Sequence, residues 1–301
     1  MSTETEASSL LEHLAELRQA VDKVLDAWVP AVTVAPVSIH EAMRYSLFAG
    51  GKRIRPILAI SAASAVGNEK TGVEHAAASL ELIHTYSLIH DDLPALDNDD
   101  LRRGRPTCHK VFGEALAILA GDALLTLAFE VLARLPDISA ECSIRLVAEL
   151  ARASGTVGGM IGGQVNDIEG ERKTPDPELL ESIHRAKTGA LLRASVRMGA
   201  IYAGADDAQL AALTAYGEHV GLAFQIVDDI LDVEESSEQL GKTAGKDRAQ
   251  HKVTFPVVYG LSRSRNMADE ELAAALSALS HFDARADRLR QLANYIVERK
   301  A

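Results

Sequence analysis

"AQLAALTAYGEHVGLAFQIVDDILDVEE", Ala208 to Glu235, is the stretch that decides the fold class. Leu210, Leu213, Val220, Phe224, Val227 and Leu231 recur at steps of three and four residues or their sums. That is the spacing of one face of an α-helix. Asp206 stands where an N-cap can accept from the first unpaired amides. Similar patterns cover residues 8–28, 38–49, 56–66, 72–92, 111–134, 138–156, 177–203 and 284–299. Breaks fall at Pro30 and Pro36, Gly50-Gly51, Pro94, Pro106, Pro175 and Pro177, and around Gly241–Gly245. No stretch alternates convincingly with a period of two. The periodicity predicts an all-α protein, a bundle of about ten helices or more.

No Pro/Gly/Ser-rich linker divides the 301 residues, so the expectation is one domain over 1–301. Hydrophobic residues make up 47 % but aromatics only 4 %, and the abundance of alanine and leucine favours helix over strand. A formal charge of −12 argues against nucleic acid or an anionic membrane as the main partner. Cys108 and Cys142 lack metal-type spacing; a reducing cytoplasm fits them better than a disulfide scaffold. The opening MSTETEASSLLEHL has no basic n-region or apolar h-region, so no signal peptide is expected. The most apolar run, EALAILAGDALLTLAFEVLARL, is interrupted by Asp122 and Glu130 and reads as a buried helix, not a stable membrane insertion.

Two acidic groups stand out. Asp228, Asp229 and Asp232 lie inside the opening helical pattern, where ~100° per residue puts Asp228 and Asp232 on one face. Carboxylates at that spacing suit a hard divalent cation such as Mg²⁺. A solvated acidic face is the usual alternative, but the surrounding Phe224, Ile226, Val227, Ile230 and Leu231 weaken it. The other group lies in HTYSLIHDDLPALDNDDLRRGRPTCHK, His84 to Lys110: Asp91, Asp92, Asp97, Asp99 and Asp100. Like charges this close repel unless a cation binds. Asp97 lies about 240° round an ideal helix from Asp91, so only a distorted turn at Pro94 brings the two together. Asp99 and Asp100 read as solvated or capping residues.

Basic residues occur in separate groups: Lys52, Arg53 and Arg55; Arg102, Arg103 and Arg105; Lys187; Lys242, Lys246 and Lys252. Any one alone is best read as solvent-exposed, but together they offer guanidinium forks and ammonium charges to phosphate oxygens. There is no GxxxxGK[ST] loop and no GxGxxG fingerprint, so a P-loop nucleotide enzyme is poorly supported. Two carboxylate clusters with nearby cations point to a polyphosphate held by metal.

GGKRIRP, LIHDDLPALDNDDLRRGRPT, GGQVNDI, KTGALL, FQIVDDILD, LGKTAGKD and KVTFP follow one another between Gly50 and Pro256. In these motifs and their order the chain resembles the trans-isoprenyl diphosphate synthases, most closely the bacterial farnesyl diphosphate synthases. The resemblance implies an all-helical fold around a deep central cavity, in a homodimer. It implies three Mg²⁺ ions on Asp91, Asp97 and Asp228, with Asp92, Asp229 and Asp232 ligating directly or through water. The allylic diphosphate would be held by Arg102, Lys187, Thr188, Gln225 and Lys242, with Lys252 contributing. Isopentenyl diphosphate would be held by Lys52, Arg55, His84 and Arg103. Gln164 and Asp167 would sit beside the metal and water network. The implied reaction breaks the allylic C–O bond; the isopentenyl double bond attacks the cation and a proton leaves, with departing diphosphate as base. No protein carboxylate is then needed as base.

His84, seven residues before Asp91 and on the same face, is assigned a substrate contact; His90, Cys108 and Trp28 are assigned structural roles. In the family the fifth and fourth positions before the first aspartate, here Tyr86 and Ser87, help form the pocket floor. Five helical residues span ~7.5 Å, so a bulky ring at Tyr86 favours a fifteen-carbon product. Geranylgeranyl diphosphate synthase is the same-class alternative. A terpene cyclase, a non-catalytic subunit and an acidic metal-buffering scaffold explain the paired motifs and cations less well.

Overall fold

The computed structural model describes residues 2–67, 71–170, 176–239 and 254–299. Their helices are α1 (Ser2–Trp28), α2 (Val37–Leu47), α3 (Ile54–Val66), α4 (Val73–Asp91), α5 (Cys108–Phe112), α6 (Glu114–Ala133), α7 (Ala140–Ser154), α8 (Met160–Gly170), α9 (Pro177–His184), α10 (Ala190–Ala203), α11 (Asp207–Gln239), α12 (Phe255–Tyr259), α13 (Leu261–Ala278) and α14 (Asp287–Glu298). A π-helical turn, Arg185–Gly189, joins α9 to α10. The strands among the described residues are a minimal antiparallel hairpin, β1 (Leu101–Arg102) and β2 (Arg105–Pro106). The protein is all-α, as its periodicity predicts.

Helix boundaries follow local chemistry. Asp206 and Gln209 form a reciprocal capping box at the start of α11: Gln209 N donates to Asp206 Oδ1 at 2.8 Å, and Asp206 N donates to Gln209 Oε1 at 3.2 Å. Asp176 caps α9 through Leu179 N, with Pro177 at the first position. Pro177 therefore opens a helix, as the 177–203 pattern expects. The 111–134 pattern divides at Gly113, whose φ is 82°. Helices α8 and α13 escaped the periodicity because their buried positions are few and mostly small: Met160, Gly163 and Gly170 in one, and Ser264, Ala268 and Ala275 in the other.

The chain packs as two compact units, Met1–Ile60 with Lys70–Val147, and Ser61–Glu69 with Ala148–Ala301. In the first, α4 is buried through Ala76, Ala77, Ala78, Leu80, Leu82 and Ile83 and packs against α6 and α1. A helix apolar on every side belongs at the centre of its unit, and each buried Leu or Ile contributes about 1.5–3 kcal/mol. In the second, α11 packs against α13 and α10. Leu222, Ile226, Val227, Ile230 and Phe255 form its core beside the acidic residues of α11. By length and composition α6 is long and apolar enough to cross a membrane. Its Leu124, Ala128 and Val131 are nevertheless buried, while Ile118 and Leu119 are exposed.

Candidate active site

In the first unit α4 ends at Asp91 with Asp92 as C-cap, and Pro94 prevents continuation. The backbone then folds back: Asp97 N donates to Asp91 O at 2.9 Å, Asn98 N to Leu93 O at 3.1 Å and Asp99 N to Asp92 O at 3.2 Å. Asn98 takes φ 52°, which its short polar side chain tolerates. This is the distorted turn that the Asp91–Asp97 spacing requires. Asp91 and Asp97 are both half-buried and share one loop.

Asp92 behaves differently. It is 3 % exposed. Arg102 Nε donates to both of its oxygens, at 2.8 and 3.0 Å, and Arg102 Nη2 lies 2.6 Å from Oδ1. Burial pushes the Asp92 carboxyl up and Arg102 pulls it back. We take the bidentate ion pair as the prevailing state, because leaving either charge alone in that setting costs more. Both oxygens of Asp92 are thus held by Arg102.

The hairpin carries the two adjacent arginines. Leu101 pairs with Pro106 and Arg102 with Arg105, leaving Arg103-Gly104 as a two-residue turn with φ of 54° and 73°. Positive φ at both central residues is the type I′ geometry, which Gly104 makes cheap. The turn separates neighbours in sequence: Arg102 reaches Asp92, whereas Arg103 Nη1 donates to Gly50 O in the GGKRIRP loop. His84 lies within reach of the same cations. Burial first, then Arg55, Arg103, Arg102 and Arg53, hold its imidazole well below the usual histidine range. His84 is therefore neutral at pH 7, in a field that attracts anions.

Arg53 was grouped by sequence with Lys52 and Arg55. The structure separates it: Arg53 is 3 % exposed, with Nη1 on Glu81 at 2.7 Å, Nε on Asp22 at 2.8 Å and Nη2 on Leu47 O at 2.7 Å. Its backbone takes φ 52°, in the left-handed region. Lys52 is exposed and Arg55 stands in the first turn of α3.

In the second unit Lys187 sits on the π-helical turn, a distortion that favours functional positions. Its Nζ is 2.6 Å from Asp167 Oδ2 on α8. Gly163 makes that approach possible: a Cβ there would stand 2.1 Å from Lys187 N. The glycine of GGQVNDI and the lysine of KTGALL are one packing unit. Thr188 and Gln164 flank it, both half-buried.

On α11, Asp228 is half-buried and Asp232, one turn on, is exposed. Asp229 points into the core at 4 % exposure. It accepts from Gln225 Nε2 at 3.0 Å and from Phe255 N at 2.9 Å, and His184 Nε2 lies 3.3 Å from Oδ2. Gln225 thus serves Asp229, a partner the sequence did not suggest. Arg299 pairs with Asp228 and lies 4.0 Å from the Phe224 ring centroid. Nothing in the sequence marks Arg299, because its partners are 71 and 75 positions away. Lys242, Lys246 and Lys252 lie outside the described residues.

Among the described residues no group of three or more His, Cys, Asp and Glu side chains forms a self-contained metal site. Asp91 with Asp97, and Asp228 with Asp232, fit a hard cation that takes one or two carboxylates and completes its shell from phosphate and water, as Mg²⁺ does. They do not fit a closed zinc-type site.

The polyprenyl synthetase family pattern matches residues 36–296. The chain belongs to the polyprenyl synthetase family. A heterodimeric geranylgeranyl pyrophosphate synthase large subunit from Arabidopsis thaliana is 48 % identical over 99 % of this chain and 81 % of its own length. The farnesyl diphosphate synthase of Geobacillus stearothermophilus is 47 % identical over 91 % of this chain and 93 % of its own. Among solved structures, an FPP/GFPP synthase from Zymomonas mobilis superposes with a TM-score of 0.87 at 36 % identity, covering 97 % and 99 % of the two chains. As a polyprenyl synthetase this chain is a prenyltransferase, and its helical architecture is that of its structural neighbours.

Proposed function

We propose that this prenyltransferase is a Mg²⁺-dependent farnesyl diphosphate synthase, adding isopentenyl diphosphate to dimethylallyl and then geranyl diphosphate. The observation that carries the product length is Tyr86: 6 % exposed, on the apolar α4, five residues before Asp91. Asp91 with Asp97, and Asp228 with Asp232, would carry the Mg²⁺ ions, and Lys187, Thr188 and Lys242 would bind oxygens of the allylic diphosphate. Mg²⁺, when bound, supplies charge neutralisation for the leaving diphosphate. Asp92 and Asp229 hold Arg102 and Gln225 in place. Lys52, Arg55, Arg103 and neutral His84 would receive isopentenyl diphosphate. The exposed Ile118 and Leu119 of α6 support a homodimer, and Cys108 and Cys142, neither in a disulfide, support a cytoplasmic setting.

Tyr86→Ala would remove about seven heavy atoms, room for roughly one five-carbon unit if the neighbours do not collapse. The enzyme should stay active and shift product from C15 toward C20. Ser87 is half-buried, its Oγ on His84 O at 2.9 Å, and Ser87→Phe should shorten the product. Chromatography of dephosphorylated products decides; unchanged C15 from an active Tyr86→Ala protein assigns the floor elsewhere. The Arabidopsis relatives named as geranylgeranyl synthases favour the second reading, C20. Wild-type C20 product would establish it.

The divergence of Arg102 and Arg103 on the hairpin supports separate roles toward the two substrates. Arg102→Lys should raise mainly the KM for the allylic diphosphate, and Arg103→Lys that for isopentenyl diphosphate, since an ammonium cannot reproduce the fork. Equal effects of both variants on one substrate alone would merge the roles.

A further inference from the structure

The Tyr86 hydroxyl is buried and has no hydrogen-bond partner. Its ring orientation therefore depends on packing alone. One turn later on the same face of α4 stands His90, whose ring meets Tyr86 edge-on, with centroids 5.7 Å apart and planes at 79°. His90 is fixed at its other end. Its Nε2 lies 3.0 Å from Ile118 O on α6; a carbonyl only accepts, so Nε2 carries the proton. Asp122 Oδ1 is 3.9 Å from the same nitrogen. The seat exists because residue 121 is glycine: a Cβ there would stand 2.2 Å from His90 Nε2 and 2.5 Å from Cδ2.

We propose that His90 is a positioning residue for product length: seated against Gly121 and tied to Ile118 O, it braces the Tyr86 ring as the floor of the prenyl pocket. This rests on the reading of Tyr86 as that floor. The brace runs from α4 to α6, so pocket depth depends on how these two helices dock as well as on the side chain that faces the prenyl tail. It also gives His90 a role beyond the core packing assigned to it from sequence.

Product distribution is the readout, because general loss of structure lowers rate without lengthening the chain. In purified full-length protein supplied with isopentenyl and dimethylallyl diphosphates, His90→Ala should raise the product one five-carbon unit longer than wild type several-fold, with both KM values little changed. His90→Gln, which keeps a donor for Ile118 O, should lie nearer wild type. Gly121→Ala should unseat His90 and lengthen product in the same direction, without a helix-propensity cost. It should add nothing in a His90→Ala background, where the clashing ring is gone, and His90→Ala should add nothing to Tyr86→Ala. An active His90→Ala protein with the wild-type distribution overturns the proposal while Tyr86→Ala still lengthens product. If His90→Ala does not fold, the Gly121→Ala distribution decides in the same way. If Tyr86→Ala leaves the distribution unchanged, the floor reading fails first. Lengthening by His90→Ala that adds fully to that of Tyr86→Ala would show that His90 acts by another route, which also overturns the proposal.

Discussion

Asp91→Ala and Asp228→Ala should each lower turnover at least about a hundredfold, the scale on which one preorganised charge-stabilising group acts, or about 2.7 kcal/mol of barrier. Both carboxylates are half-buried, at the end or on the face of a helix. Neither belongs to the apolar core, so the circular dichroism spectrum should stay native. Asp228→Ala also removes the carboxylate that pairs with Arg299, a local loss on one helix face. Asp99→Ala provides the contrast. Asp99 is exposed, 4.0 Å from Arg102 at its nearest, and its loss should barely move kcat. Near-normal turnover in a folded Asp91→Ala or Asp228→Ala protein would remove that residue from the metal site.

Arg53→Ala should destabilise the protein by about 3–5 kcal/mol, because it leaves Glu81 charged, buried and unpaired. Glu81 is 2 % exposed on the central helix α4. The loss also abandons Leu47 O, a buried backbone acceptor with Arg53 as its donor. A fall in Tm of roughly 5–15 °C is expected. Arg53→Ala with Glu81→Leu should recover part of it, because an apolar pair avoids the stranded charge. Scanning calorimetry of the single and double variants measures both. A single variant as stable as wild type would show that Arg53 does not anchor the loop. Lys52 precedes Arg53 in this loop and Arg55 follows in the first turn of α3, so turnover should fall with stability even below the melting range.

Local rules carried much of the fold. The stripe Leu213, Val220 and Val227 is buried as its spacing predicts, and Asp206 caps as its type predicts. The return of Asp97 to Asp91 was legible as a need, since an unbroken helix could not supply it. Long-range pairings were not legible. Arg53 looks like any phosphate-binding arginine until Glu81 is seen 28 residues away, and the bond from Gln225 to Asp229, which also accepts from Phe255 N, has no mark in the sequence. The type I′ hairpin was hidden because strands of two residues show no alternation. Small-faced helices such as α13 were hidden because a stripe of serine and alanine is not hydrophobic enough to register.

The π-helical turn that carries Lys187 is one residue more than a regular helix would use to join α9 to α10. Such a turn is the footprint of a single-residue insertion, and it makes the lysine's direction a matter of residue count rather than residue type. Deleting one residue between Arg185 and Gly189 would let the segment relax into uninterrupted α-helix, with better hydrogen bonding, and rotate Lys187 by ~100° away from Asp167. Substitution-based stabilisation cannot reach that state, whereas shortening the chain by one position can. If Lys187 holds diphosphate as proposed, thermal robustness and prenyl transfer would pull in opposite directions here, and the loss of one residue would matter more than a change of residue type.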